Sequence, residues 1–205
     1  MRFQNRRYSP DERKDFFIAM NNVNSSTKKI AKLGVLAAIS IVLVAIIHFP
    51  IIPAVSFLEY DPADIPILLG TFALGPGAGF ILTVVAALIQ GLTVSAASSW
   101  YGIVMHIIAT GSYVLVAGNI YKHKKTKKGA ILALVLGTVT WILIMIPANI
   151  FLTPVYLEMV VGIPSAKEMV IGLLPPIVLF NAIKAVINSV ITFFVYKKIS
   201  PILHK

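Results

Sequence analysis

Residues 173–196 read LLPPIVLFNAIKAVINSVITFFVY, a run apolar enough to cross a bilayer that nevertheless carries Asn181, Lys184 and Asn188. A spanning helix needs about 20 apolar residues, so this stretch commits the chain to a membrane. Helical geometry puts Lys184 about eleven residues in, roughly 16 Å deep, where its stem cannot easily snorkel to either surface. Even the lower scale sets the cost of a lysine near the bilayer centre at about 2.5–3.5 kcal/mol, so its side chain should face the bundle interior and have a partner. Asn181, Lys184 and Asn188 are spaced i, i+3 and i+7 and share one helical face.

The rest of the chain has the same character, with 58% hydrophobic and 13% charged residues among 205. Uncharged stretches run from Leu33 to Leu58, Ile65 to Tyr121, Gly129 to Leu157 and Met169 to Ile183. The longest must be divided, and the breaks fall at Gly75-Pro76-Gly77-Ala78-Gly79 and in the small polar series from Ser95 to Gly102. The reading is an all-α polytopic membrane protein with six transmembrane helices, near 30–49, 62–74, 77–95, 101–121, 129–153 and 173–197. No alternating ten-residue pattern suggests a barrel. Residues 1–27 form a polar N-terminal segment with no apolar signal-like run, and residues 28–205 form the membrane domain.

Charge sets the expected orientation. Of 18 Lys and Arg residues, eight precede Leu33, five lie between Lys122 and Lys128 and three follow Tyr196. Six spans place all three groups on one side, which the positive-inside rule makes cytoplasmic together with both termini. Five of the eight acids, Glu59, Asp61, Asp64, Glu158 and Glu168, fall on the other side. The net charge of +10 is therefore a topological signal, and the basic loop carries no nucleic-acid recognition motif.

Several chemistries find no support. There is no phosphate-cradling glycine loop, no nucleophile elbow, no H-E-x-x-H and no pair of carboxylates inside the spans, so neither an enzyme nor an ion-coupled pump is indicated. Cysteine is absent, and the histidines at 48, 106, 123 and 204 lack ligand spacing, so no metal site is expected. The chain reads as a binding subunit.

For the polar face of the last span, two readings stand. In one, Asn181, Lys184 and Asn188, with Asn149 in the fifth span, offer amides and an ammonium to a ligand bearing carbonyl and ring-nitrogen acceptors. In the other, Lys184 pairs with Glu158 or Glu168 descending from an outer loop, or the amides simply join helices. Gln90 and His106 read as groups satisfied by their neighbours. In the apolar first outer loop, Asp61 fits an N-cap, Pro62 the first helical position and Asp64 the third, so both aspartates are expected to cap the second span. Phe57, Leu58, Glu59 and Tyr60 remain for a lid over an outward-facing pocket.

The stretch Phe57-Leu-Glu-Tyr-Asp-Pro-Ala-Asp-Ile-Pro66, with Gly75-Pro-Gly-Ala-Gly79 and Asn181-Ala-Ile-Lys184, resembles the riboflavin-specific substrate-binding (S) components of energy-coupling factor (ECF) transporters. The resemblance implies a vitamin binder in the bacterial plasma membrane that works with a transmembrane coupling protein and two cytoplasmic ATPases. It implies a pocket made by the first outer loop and spans four to six, carrying ligand roles onto Asn149, Asn181, Lys184, Glu59 and Tyr60, with riboflavin as transported ligand and no catalytic cofactor. It also implies docking of the coupling protein on small residues of the first span, here Gly34 and Ala38. The alternatives are an S component for another vitamin, such as thiamine or biotin, and a membrane assembly subunit that binds no ligand.

Overall fold

The computed structural model describes residues 10–203. Helix α1 runs Pro10–Ile46, and the chain then folds into a short outer segment containing β1 (Phe49–Pro50), a 3-10 turn (Pro53–Val55) and β2 (Glu59–Tyr60). There follow α2 (Asp64–Leu74), α3 (Pro76–Leu92), α4 (Ser99–His123), α5 (Lys127–Tyr156), α6 (Ala166–Gly172) and α7 (Leu174–Leu203). Helices thus occupy all six expected stretches. Four reach spanning length and composition: Ser26–Ile46, Ala96–His123, Lys127–Val161 and Leu174–Lys198. Helices α2 and α3 are shorter, 11 and 17 residues, or roughly 16 and 26 Å against a hydrocarbon core of about 30 Å.

The brevity of α2 shapes the molecule. One residue, Gly75, separates α2 from α3, with φ of 97°. That backbone favours glycine because it has no Cβ, and Pro76 then opens α3 at a position where its missing N–H costs nothing. A helix of only three turns starts well inside the bundle, so the segment leading to it must descend. The descending segment is anchored at a few side chains: Val55, Tyr60 and Ala63 are covered while Phe49 and Phe57 stay exposed, and the paired strands match Phe49 with Tyr60 and Pro50 with Glu59.

Polar pairs tie the long helices together. Tyr113 of α4 and Thr138 of α5 both hydrogen-bond to Ser189 of α7, and the Trp141 indole N–H donates to Asn181 Oδ1 at 2.9 Å. Gly137 lets α5 lie against the Tyr113 ring, since a Cβ there would collide with it. The outer faces remain apolar, with Val35, Ile39, Val42, Ile81, Leu132, Leu143, Leu179 and Phe194 exposed. Continuous apolar exposure of this kind is a surface suited to lipid.

Candidate functional site

A cavity of about 430 Å³ opens at the end of the bundle that holds the descending segment. Its walls come from that segment, from α3, α4, α5 and α7, and at single positions from α1 and α2. The Lys122–Lys128 loop lies beyond the opposite ends of α4 and α5, so cavity and basic loop face away from each other. Apolar walls from Val44, Ala87, Met105, Ala109, Met145 and Phe180 meet a small polar set, the usual composition of a small-molecule site.

Lys184 explains why the segment descends where it does. Its Nζ donates to Asp61 Oδ2 at 2.6 Å, an ion pair between α7 and the residue three before α2. The partner is therefore neither of the expected glutamates. Glu158 is occupied elsewhere, accepting the Ala166 N–H at 3.1 Å to cap α6, and Glu168 is exposed. Sequence spacing hid Asp61 because D-P-A-D also fits a helix start, whereas a short α2 carries its first residue down to the lysine's depth.

The capping expectation needs correction at Asp64 and extension at Asp61. Helix α2 begins at Asp64 and its N-cap, Ala63, makes no side-chain cap. Asp61 Oδ1 does accept the Ala63 N–H at 3.0 Å, so it turns the chain while its other oxygen holds Lys184. Asp64 accepts from side chains instead: Thr110 Oγ1 of α4 at 2.6 Å and Asn188 Nδ2 of α7 at 2.9 Å. A buried carboxylate needs donors from several directions, and here the bundle supplies them.

Asn149, Asn181, Lys184 and Glu59 all line the cavity. The first two are almost wholly buried, at 1% and 4% exposure. Asn149 donates to Met145 O at 2.7 Å and accepts from Thr153 at 3.1 Å; Asn181 donates to Ile177 O at 2.9 Å and accepts from Trp141. Each amide thus keeps one N–H uncommitted, and the ammonium keeps two. The anchoring bonds fix the rotamers, so these donors are preorganised and matched to acceptors rather than to a cation.

Tyr60 and Asn188 stand behind this wall rather than on it. The Tyr60 hydroxyl donates to Asn188 Oδ1 at 3.1 Å, while Asn188 Nδ2 reaches Asp64 and, at 3.4 Å, the Asp61 carbonyl. One amide on α7 therefore clamps the descending segment in place. Tyr101 and Tyr156 stack at 4.5 Å between centroids near the mouth. Gly34 and Ala38 are exposed on α1 and lie outside the cavity.

The sequence matches the family "ECF transporter, substrate-specific component" over residues 28–196. Two relatives are riboflavin transporters named RibU. That of Lactococcus lactis subsp. cremoris (strain NZ9000) is 32% identical over 62% of this chain and 63% of its own length. That of Staphylococcus aureus (strain TCH60) is 30% identical over 87% of this chain and 93% of its own. This chain thus spans a little under two thirds of the Lactococcus relative. A solved S component of a bacterial ECF transporter superposes with a TM-score of 0.73 at 29% identity, covering 88% of this chain and 99% of that one. With a family match across nearly all the membrane region and a fold of the same kind, the chain belongs to the substrate-specific components of ECF transporters.

Proposed function

We propose that this chain binds riboflavin from outside the cell and releases it inward as part of an ATP-driven ECF complex in the bacterial plasma membrane. The observation that carries the reading is the donor wall of Asn149, Asn181 and Lys184 beside an apolar cavity of about 430 Å³. Riboflavin's isoalloxazine has a dimethylbenzene end suited to Met, Leu and Phe surfaces. Its pyrimidine edge presents carbonyls and ring nitrogens that take N–H donors. Riboflavin is also the cargo in the names of the Lactococcus and Staphylococcus relatives.

In this reading α1 to α5 and α7 make six crossings. The short α2 and α3 form a hairpin that crosses with help from the descending segment. Both chain ends and the Lys122–Lys128 loop lie in the cytoplasm, so the cavity faces outward. No nucleotide-binding loop occurs in the sequence, and the energy comes from two ATPase subunits acting through a transmembrane coupling protein.

Purified chain should carry a yellow chromophore whose flavin absorbance is released on denaturation. A colourless protein that copurifies with thiamine or biotin instead would reassign the cargo.

The exposed stripe of Ala31, Gly34, Ala38 and Ala45 on α1 is the proposed seat of the coupling protein, since small residues at this spacing allow close helix approach. Nothing lies within 4 Å of a Cβ built on Gly34, so a larger side chain there disturbs no contact within the chain. Ala38→Trp should leave ligand affinity within about twofold and abolish copurification with the coupling protein. Uptake at the wild-type rate in cells expressing Ala38→Trp would place that interface elsewhere.

A further inference from the structure

Gln90 occupies the last turn of α3, where α3 meets the cavity. It is 4% exposed, its side chain makes no hydrogen bond to a described residue, and its Nε2 is enclosed without a partner. An amide left so costs about 1–3 kcal/mol, so its retention calls for a reason.

The contrast with the other cavity amides is informative. Asn149 and Asn181 are each tied to a carbonyl four residues back and to a second side chain. Gln90 has neither anchor. Two of the cavity hydroxyls are already committed: Ser98 donates to the Ser95 carbonyl at 2.7 Å, and Tyr101 pairs with Thr153 at 2.8 Å. His106 Nε2 is also unbonded, but it faces the Asp64 carboxylate at 3.5 Å and so has an electrostatic partner. Gln90 alone on this wall has none among the described residues.

Position points to the chemistry that completes it. Asn149, Asn181 and Lys184 come from α5 and α7, which pack on each other, whereas α3 packs on α1, α2 and α4. A ligand whose acceptor edge engages α5 and α7 presents a different part of itself to α3. A primary amide both donates and accepts, as does a hydroxyl, so the two complement each other in either sense.

We infer that Gln90 is a ligand-contacting residue that hydrogen-bonds the hydroxyl chain of the bound vitamin and selects for ligands that carry it. The inference rests on the riboflavin reading above and extends the site to α3, outside the loop and spans that the family resemblance implicates.

The test compares wild type with Gln90→Leu in equilibrium fluorescence titrations with riboflavin and with lumiflavin, which has the same ring system but a methyl group in place of the ribityl chain. Wild type should prefer riboflavin. Gln90→Leu should weaken riboflavin binding by about tenfold, the scale of one lost hydrogen bond, and lumiflavin binding by less than about twofold. The ligand-free thermal midpoint of Gln90→Leu should be no lower than that of wild type, because an unpaired buried amide has gone. If Gln90→Leu does not fold, Gln90→Met, unbranched like glutamine, carries the same expectations. Equal weakening of both ligands, or no weakening of either, overturns the inference while leaving the riboflavin reading intact. Wild type that binds neither flavin overturns the riboflavin reading, and this inference with it.

Discussion

Lys184→Met should lose about 3–5 kcal/mol of stability, the usual scale for removing one partner from a buried ion pair. Methionine keeps the length of the side chain but leaves the Asp61 carboxylate, now 2.6 Å from an ammonium, facing an apolar group. Asp61→Asn should be destabilising for the converse reason, leaving a lysine deep in the bundle. The double variant Asp61→Asn/Lys184→Met removes both charges and should recover most of the loss in thermal midpoint. It should not recover riboflavin binding, because the ammonium's two uncommitted N–H groups are gone. A double variant that binds like wild type would make the pair a strut between the first outer segment and α7, with no part in recognition.

Asn188→Leu should release the first outer segment. This single amide holds the Tyr60 hydroxyl, the Asp64 carboxylate and the Asp61 carbonyl, and each buried group left unpaired costs about 1–3 kcal/mol. Leucine keeps the branching at Cγ and is no smaller, so the loss does not come from a cavity. We expect a lower thermal midpoint, faster amide exchange across residues 47–63 and weakened ligand binding, since the segment supplies Asp61 and Glu59 to the cavity. Unchanged exchange in that segment would show that apolar packing around Val55 and Ile177 suffices to hold it.

Much of this was legible in the sequence because the bilayer restricts the options. An apolar run of spanning length must be helical, and a stripe of Asn181, Lys184 and Asn188 on one face of it must point inward. The Gly75-Pro76 break and the inward Asn149 followed from the same logic. What stayed hidden depended on depth rather than pattern. That α2 has only 11 residues decides that Asp61 meets Lys184, and nothing in D-P-A-D-I-P distinguishes a cap at the surface from a counter-ion in the interior. The distinction between Asn181, on the cavity wall, and Asn188, behind it, likewise depends on which helices face each one. In sequence Gln90 reads as a satisfied helix residue, the common case for a solitary amide, and only its enclosed, unbonded Nε2 reveals that it is not.

The central claim, that the donor wall of α5 and α7 recognises riboflavin in the absence of any partner chain, is tested most directly by titrating riboflavin fluorescence with the purified protein in detergent. The account predicts saturable quenching that ends at one equivalent and is weakened at least about tenfold in Asn181→Leu, which removes one uncommitted donor and the acceptor of Trp141. No quenching by the wild-type protein, or quenching that Asn181→Leu leaves unchanged, would contradict it.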